Sequence, residues 1–261
     1  MDAPLDPAPA AALLHTVADG VATVAVSHPA KRNAMTAAMW RALPELLTGL
    51  AADPAVRVLV LTGAGPTFCA GADISSLTGA EDLRALSVVA EEALAAFPKP
   101  TLAAVRGFCV GGGSQLAAAC DLRFAEEGAS FGVTPAKLGI VYPASSTRRL
   151  AGLVGPSWAK YLLFSAELIG AEQALRAGFL NELLPAGQLD KRVAEFTRVL
   201  VSRSRLTQAA AKEFADGRTD REAYWEDQYA GSGDTAEGVA AFLERRPPVF
   251  SWPEEPEGAA G

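Results

Sequence analysis

Two stretches of this 261-residue chain carry residue types whose spacing could do chemistry: Thr67-Phe68-Cys69-Ala70-Gly71-Ala72-Asp73-Ile74, and Arg106-Gly107-Phe108-Cys109-Val110-Gly111-Gly112-Gly113-Ser114-Gln115-Leu116. Each leads from an apolar strand pattern through small residues toward a helix. Small residues let a ligand approach the backbone, and the first turn of a helix leaves N–H groups without intrahelical acceptors. Two such junctions side by side can form one oxyanion hole. Tight packing of helix on strand is the competing explanation for any single glycine-rich turn.

Other chemistries find no motif. Neither glycine cluster fits GxGxxG, because Phe68 and Leu116 stand at the last glycine position, and no GxxxxGK[ST] exists. His15 and His28 both fall in the first 30 residues on neighbouring strand patterns, so neither a Ser-His-Asp triad nor a metal site is expected. Ser157-Trp158-Ala159-Lys160 matches SxxK but follows Gly155-Pro156 and lacks an SDN or KTG partner, which reads as a helix start. Cys69, Cys109 and Cys120 have no CxxC spacing, implying neither a disulfide framework nor a zinc ribbon and fitting a reducing cytoplasm. With 30 acidic against 23 basic residues, a net charge of -7 and no Lys/Arg tract, the chain offers nucleic acid no surface. The N-terminus lacks the basic cluster of a secretory signal, and no apolar run reaches the ~18 residues of a membrane span.

The elements that must position the two junctions can be read from periodicity. Leu13 to Val17 and Val21 to Ser27 read as strands joined at Asp19-Gly20, a hairpin turn. Thr36 is the expected N-cap of a helix over Ala37 to Ala51, with Met39, Leu43, Leu46, Leu47 and Leu50 at helical spacing. Val56 to Thr62 reads as a buried strand. A helix from about Ala80 to Phe97, a strand at Thr101 to Val105, a helix through Cys120 and a strand at Leu122 to Ala125 follow. This alternation predicts an α/β core with crossover connections. Beyond Ser145 nearly everything reads as helix, broken at Gly155-Pro156, Gly170, Pro185-Ala186-Gly187 and Gly231-Ser232-Gly233. Half of the residues are hydrophobic, enough for a sizeable core. The expected organisation is a tail over 1–12, a core over 13–200, a helical module over 201–250 and a Pro/Glu-rich tail over 251–261.

With these elements in hand, five stretches taken in order resemble the enoyl-CoA hydratase/isomerase (crotonase) superfamily: His28 to Met35, Phe68 to Ile74, Gly111 to Leu116, Ala119 to Arg123, and Ala241 to Pro247. The resemblance implies a spiral of ββα units with a helical trimerisation module, a homotrimer or dimer of trimers, and action on acyl-coenzyme A thioesters without a further cofactor. Carried over, the oxyanion hole is the backbone N–H of Ala72 and that of Gly112. Lys31, Arg32 and Ala34 are implied along the pantetheine and nucleotide path, Ala70, Asp73 and Ile74 near the adenine, and Phe242 and Arg245 as further contacts.

The chain departs from the family's hydratases at two positions. The glutamates that flank the substrate double bond fall on Gln115 and, by ungapped match of Phe131 to Leu150, on Pro135. A glutamine can orient a water but cannot take its proton, and proline offers neither acid nor base. Ordinary two-glutamate hydration is therefore doubtful. Thr134 to Tyr142 looks like the corresponding stretch of methylmalonyl-CoA decarboxylase, in which Tyr142 would meet the substrate carboxylate or deliver a proton. That decarboxylase carries a histidine where Ala72 stands here. A malonyl-type acyl-CoA decarboxylase and a catalytically inactive CoA-thioester binding protein are the two alternatives. Lys137 reads as a surface lysine.

Overall fold

The computed structural model describes residues 10–73 and 82–252, so Ile74 and the start of the helix expected at Ala80 lie outside the described residues. Strands β1 (Ala12–Ala18) and β2 (Val21–Ser27) form the expected hairpin. Asp19 and Gly20 sit in its turn at φ 51° and 80°, the positive values that a two-residue hairpin demands. Thr36 caps α1 (Ala37–Ala52), its hydroxyl accepting from the Met39 N–H at 3.3 Å. Met39, Trp40, Leu43, Leu47 and Leu50 form the buried stripe of that helix.

Next come β3 (Val58–Gly63), α2 (Leu83–Ala95), β4 (Thr101–Val105), β5 (Phe108–Val110), α3 (Gly112–Ala119), β6 (Leu122–Glu126) and β7 (Ser130–Gly132). Helix α2 opens at Leu83 because the Asp82 carboxylate accepts from the N–H groups of Arg84 and Ala85 at 3.0 and 3.1 Å. Beyond Ser145 the expectation of nearly continuous helix needs correction. Among α4 (Ala144–Ser165), α5 (Ala171–Arg176), α6 (Leu189–Val201), α7 (Arg205–Ala215), α8 (Glu222–Gly231) and α9 (Asp234–Glu244) lie two short strands, β8 (Ile169–Gly170) and β9 (Glu182–Leu184). Two or three residues are too few to show a period of two, and their partners define them instead: β8 pairs with β7 and β9 with β6. Gly155, at φ 76° and ψ 160°, breaks α4 as its Gly-Pro pair suggested.

The strands form two sheets, one of six in the order β1-β2-β3-β4-β6-β9, parallel except for the β1–β2 pair, and one of three, β5-β7-β8. Strand β4 is buried at all five residues, as a central parallel strand covered on both faces must be. Helices α1, α2 and α3 cover one face with the larger core; on the other, Val60, Leu102, Ala104 and Phe124 meet Leu189, Val193 and Phe196 of α6. Arg123 of β6 is 2 % exposed, and its guanidinium donates to the C=O groups of Cys120 at 2.6 Å and Ala117 at 3.4 Å. A cation at the C-terminal carbonyls of α3 holds that helix with its N-terminus directed at the first glycine junction.

If α6 belongs to the core rather than to a detachable module, Leu189→Ala should lower global stability by about 2–5 kcal/mol, since Leu189 is fully buried. Urea unfolding should show one cooperative transition displaced to lower denaturant; a separate early phase would assign α6 to an independent unit.

Candidate active site

The site is built on a loop clamp. Arg32 and Asn33 occupy the left-handed region at φ 50° and 59°, and Asn33 is 1 % exposed. The Asn33 side chain accepts from the His28 N–H at 2.9 Å and donates to the C=O groups of Ala64 at 2.9 Å and Thr67 at 2.5 Å. A short polar side chain is what tolerates this backbone and satisfies these groups at once. The clamped loop then meets the first junction. Ala70 N–H donates to Arg32 C=O at 3.0 Å, Met35 N–H to Gly71 C=O at 2.8 Å, and Asp73 N–H to Met35 C=O at 2.9 Å. Sequence reasoning missed Asn33; its only signal is a polar residue beside a turn.

The bonds on either side of Ala72 determine where its own N–H points. In the parallel bridge Met35–Ala72 the partner takes the groups of residues 71 and 73, which turns the Ala72 N–H away from Met35. On that other side lies the start of α3. A methyl group at Gly112 would stand 3.4 Å from the Ala72 nitrogen, and one at Gly71 would stand 3.7 Å from the Gly112 nitrogen. Gly112 is the first residue of α3, whose first intrahelical bond runs from the Gln115 N–H to the Gly111 C=O, so its N–H has no acceptor in its own helix. Neither N–H has a backbone acceptor among the described residues. The two donors therefore converge on one place. The neighbouring Gly113 has a packing role instead: a Cβ there would meet the Cys69 C=O at 2.2 Å.

A cleft of about 180 Å³ opens at these N–H groups. Its walls include Ala70, Gly71, Ala72, Gly111, Gly112, Gln115, Pro135 and Tyr142, with Trp40 packed against Gly112 and Arg84 at the rim. Gln115 and Pro135 thus line one space. No Asp, Glu or His lines it among the described residues. Two larger grooves, of about 540 and 580 Å³, lie against α7 and α8, away from both junctions.

Behind the cleft wall sits a carboxylate that sequence reasoning also missed. Glu91 of α2 is 0 % exposed, pairs with Arg149 and accepts from the Ser146 hydroxyl and the Gln115 amide, the last at 2.6 Å. In the sequence it is one of two adjacent glutamates in a helix, and only folding separates buried Glu91 from Glu92 at the surface. Tyr142 lines the cleft with a phenol pushed well above its usual range, by burial first and then by the negative charge of Glu91. It stays neutral and can donate a hydrogen bond.

Of the other expected residues, Lys31 pairs with Asp73 at 2.8 Å, Arg32 lies over the Phe108 ring at 4.9 Å, and Ala34 is buried with its C=O 2.8 Å from His28 Nδ1. These stand on the loop beside the cleft rather than in its wall. Phe242 is 82 % exposed on α9, and Arg245 ends that helix at φ 56°; within one chain neither lines the cleft. Lys137 is exposed and outside it. Burial pushes the thiols of Cys69 and Cys120 up to about 12 and raises that of Cys109, so all three are neutral and none is an activated nucleophile. No cluster of three metal-ligating side chains and no helix long and apolar enough to cross a membrane occur among the described residues.

Comparison with known proteins agrees with this geometry. The family model for enoyl-CoA hydratase/isomerase matches residues 16–253. A crotonyl-CoA hydratase of Syntrophomonas wolfei is 35% identical over 244 residues, spanning 88% of this chain and 94% of its own. The 2,3-dehydroadipyl-CoA hydratase of Escherichia coli is 32% identical, with 88% and 94% covered. The crystal structure of an enoyl-CoA hydratase from Bacillus anthracis superimposes with a TM-score of 0.85 at 29% identity, covering 91% of this chain and 98% of that one. The junctions, the spiral of strand and helix around them and these likenesses lead to one conclusion: the chain belongs to the enoyl-CoA hydratase/isomerase family and has its crotonase fold.

Proposed function

We propose that this enzyme holds the carbonyl oxygen of an acyl-CoA thioester between the N–H groups of Ala72 and Gly112 and stabilises the enolate that forms next to it. The placement at one cleft of those two donors, neither with a backbone acceptor among the described residues, carries the reading. Charge that develops on the oxygen meets preorganised dipoles, each donor contributing ~10²–10³ in rate. The onward path of the enolate depends on side chains. Gln115 offers an amide, Tyr142 a neutral phenol, and the cleft no carboxylate among the described residues, so hydration of a 2-enoyl-CoA lacks its usual acid and base.

A malonyl-type acyl-CoA decarboxylation is the second reading, favoured by Tyr142. A neutral phenol in the cleft can bond a substrate carboxylate or return a proton to the enolate, and loss of carbon dioxide needs the electron sink but no base to begin. A protein that binds the thioester without turning it over is the remaining alternative, and any turnover excludes it. Lys31, Arg32, Ala34, Ala70 and Asp73 would follow the coenzyme. Tyr161 and Phe164 of α4 and Phe242 and Leu243 of α9 are exposed apolar residues, which supports self-association as a trimer or a dimer of trimers. Three buried neutral thiols suit a reducing cytoplasm.

Four outcomes test this reading. Crotonyl-CoA hydration should run ~10² or more below the rate of a two-glutamate hydratase, measured by loss of enoyl absorbance. Gln115→Glu should not restore it: the new carboxylate would face Glu91 across the 2.6 Å now bridged by an amide, and such a pair keeps a proton instead of supplying a free base. Hydration at an ordinary rate by the unmodified protein overturns the view that the cleft lacks an acid and base.

Gly112→Pro removes one donor at a helix position that accepts proline, but its Cβ would stand 2.8 Å from Trp40 Cζ2. In a Trp40→Leu background, which gives it room, the change should lower turnover by ~10² or more relative to that background. Undiminished turnover would remove Gly112 from the oxyanion hole.

The Tyr142 phenol has its folded pKa raised above the ordinary 10.0, so the native state binds this proton more tightly than the unfolded chain. Its contribution to stability is complete below that ordinary value and is lost as pH rises beyond it. Thermal midpoints should therefore fall less steeply above pH ~10 in Tyr142→Phe than in the parent. Equal slopes would show a solvated phenol.

A further inference from the structure

The pair of buried Glu91 with half-buried Arg149 lies behind Gln115 and takes no direct part in the chemistry above. We propose that Glu91 is a positioning residue, turning the Gln115 amide so that its carbonyl oxygen faces the cleft and receives a water or a substrate hydroxyl rather than a substrate carboxylate. The inference rests on the acyl-CoA reading of the cleft and adds to it the chemical class of the group that meets Gln115.

The orientation follows from which atoms can donate. Arg149 has donors only, so it engages one oxygen of Glu91, Oε1. The other oxygen, Oε2, accepts from the Ser146 hydroxyl and from Gln115 Nε2. A carboxylate held by Arg149 is acceptor only, so the amide must present its NH2 inward. Gln115 Nε2 also donates to Ser146 Oγ at 3.3 Å, so Glu91 and Ser146, neither of which lines the cleft, take the NH2 group, while the C=O of Ser87 in the cleft wall stands at the 3.5 Å limit. Gln115 Oε1 accepts from no described side chain, is not an enclosed orphan, and belongs to a residue that lines the cleft. It is the amide atom left for a ligand.

Its place on α3 sets what it meets. Gln115 stands one turn beyond Gly112, ~4.5 Å along the helix axis, on the face that presents the Gly112 N–H. With the thioester oxygen at that N–H, the acyl carbons next to the carbonyl pass the Gln115 oxygen. There an amide oxygen attracts O–H groups, while its lone pairs, backed by the charge of Glu91, oppose a carboxylate.

Glu91→Gln tests the device with little change of volume. The carbonyl of the introduced amide must turn to Arg149, its NH2 must turn to Gln115, and Gln115 must then reverse and present NH2 to the cleft. Equilibrium affinities for 3-hydroxybutyryl-CoA, butyryl-CoA and malonyl-CoA, measured by calorimetry, read that reversal. The parent should bind 3-hydroxybutyryl-CoA about 3–10-fold more tightly than butyryl-CoA, the size of one neutral hydrogen bond. In Glu91→Gln that preference should vanish and malonyl-CoA should gain relative to butyryl-CoA, while butyryl-CoA itself is unaffected. A variant that loses thermal stability but keeps the parent's ratios shows a merely structural role and overturns the proposal. Should Glu91→Gln fail to fold, Glu91→Met with Arg149→Met removes the ion pair and the acceptor for Gln115 Nε2 together, and the hydroxyl preference should again fall toward one. Retention of the preference in that double variant also overturns it. Butyryl-CoA binding without any hydroxyl preference in the parent refutes the proposal and leaves the acyl-CoA reading standing, whereas failure of all three thioesters to bind refutes both.

Discussion

Everything at the site depends on two backbone segments running within strand distance of each other with no side chain between them. The Cys69 C=O would touch a Cβ on Gly113 at 2.2 Å, and a parallel bridge joins Cys69 to Cys109. Val110 N–H donates to Cys69 C=O at 3.0 Å, and Cys69 N–H to Phe108 C=O at 2.8 Å, so the approach is a stretch of sheet. Small residues line both segments because nothing larger fits. Where the bridge ends, α3 begins, and the donors that a longer sheet would have consumed remain free. The two donors at the cleft and the packing constraint are thus two consequences of one geometry: packing holds Gly113, and Gly112 supplies an N–H that the proposed function uses.

Supports outside the junction keep that geometry. Asn33 ties the first segment to the loop after β3, Arg123 anchors the far end of α3, and the Ser114 hydroxyl donates to the Cys109 C=O at 2.6 Å. Each replaces a bond that irregular backbone cannot make with itself, and leaving such a buried group unpaired costs about 1–3 kcal/mol. Polar side chains that bond to buried backbone are therefore concentrated where the chain leaves regular structure, around the cleft. The Glu91 pair is a different kind of support. A buried ion pair adds little to stability over an apolar replacement of its volume, which makes direction rather than energy the reason for a carboxylate there.

How far this was legible depends on the range of the signal. Local signals read well: Asp19-Gly20 as a turn, Thr36 as a cap, the Met39 to Leu50 stripe, and the small-residue junctions all act through residues a few positions apart. Strands β8 and β9 were missed because their only evidence is a partner remote in sequence; β9 is recognised through β6, more than fifty residues earlier. Glu91 was invisible for the same reason. Its meeting with Gln115, Ser146 and Arg149 spans α2, α3 and α4, and no spacing announces it. Gln115 and Pro135 drew attention because the family resemblance supplied a register for them, and the structure places both in one cleft wall. That a buried carboxylate stands behind the first of them was not legible, since none of the five resembling stretches includes that helix.

Backbone donors and side-chain groups therefore carry separable parts of the chemistry. The N–H groups of Ala72 and Gly112 come from the path of the chain, which the cores under α1, α2 and α6 impose whatever side chains line the cleft. Gln115 can change without disturbing that path, because backbone bonds set the register of α3, whereas Pro135 fixes its own φ at the start of a short turn and Tyr142 packs against the main core. In the proposed chemistry a sink for negative charge is then the constant of the architecture, and the fate of the enolate is the variable. In this chain the variable part lacks a free carboxylate among the described residues and has a carboxylate one layer deeper, where it cannot touch a ligand but can dictate which end of an amide the ligand meets.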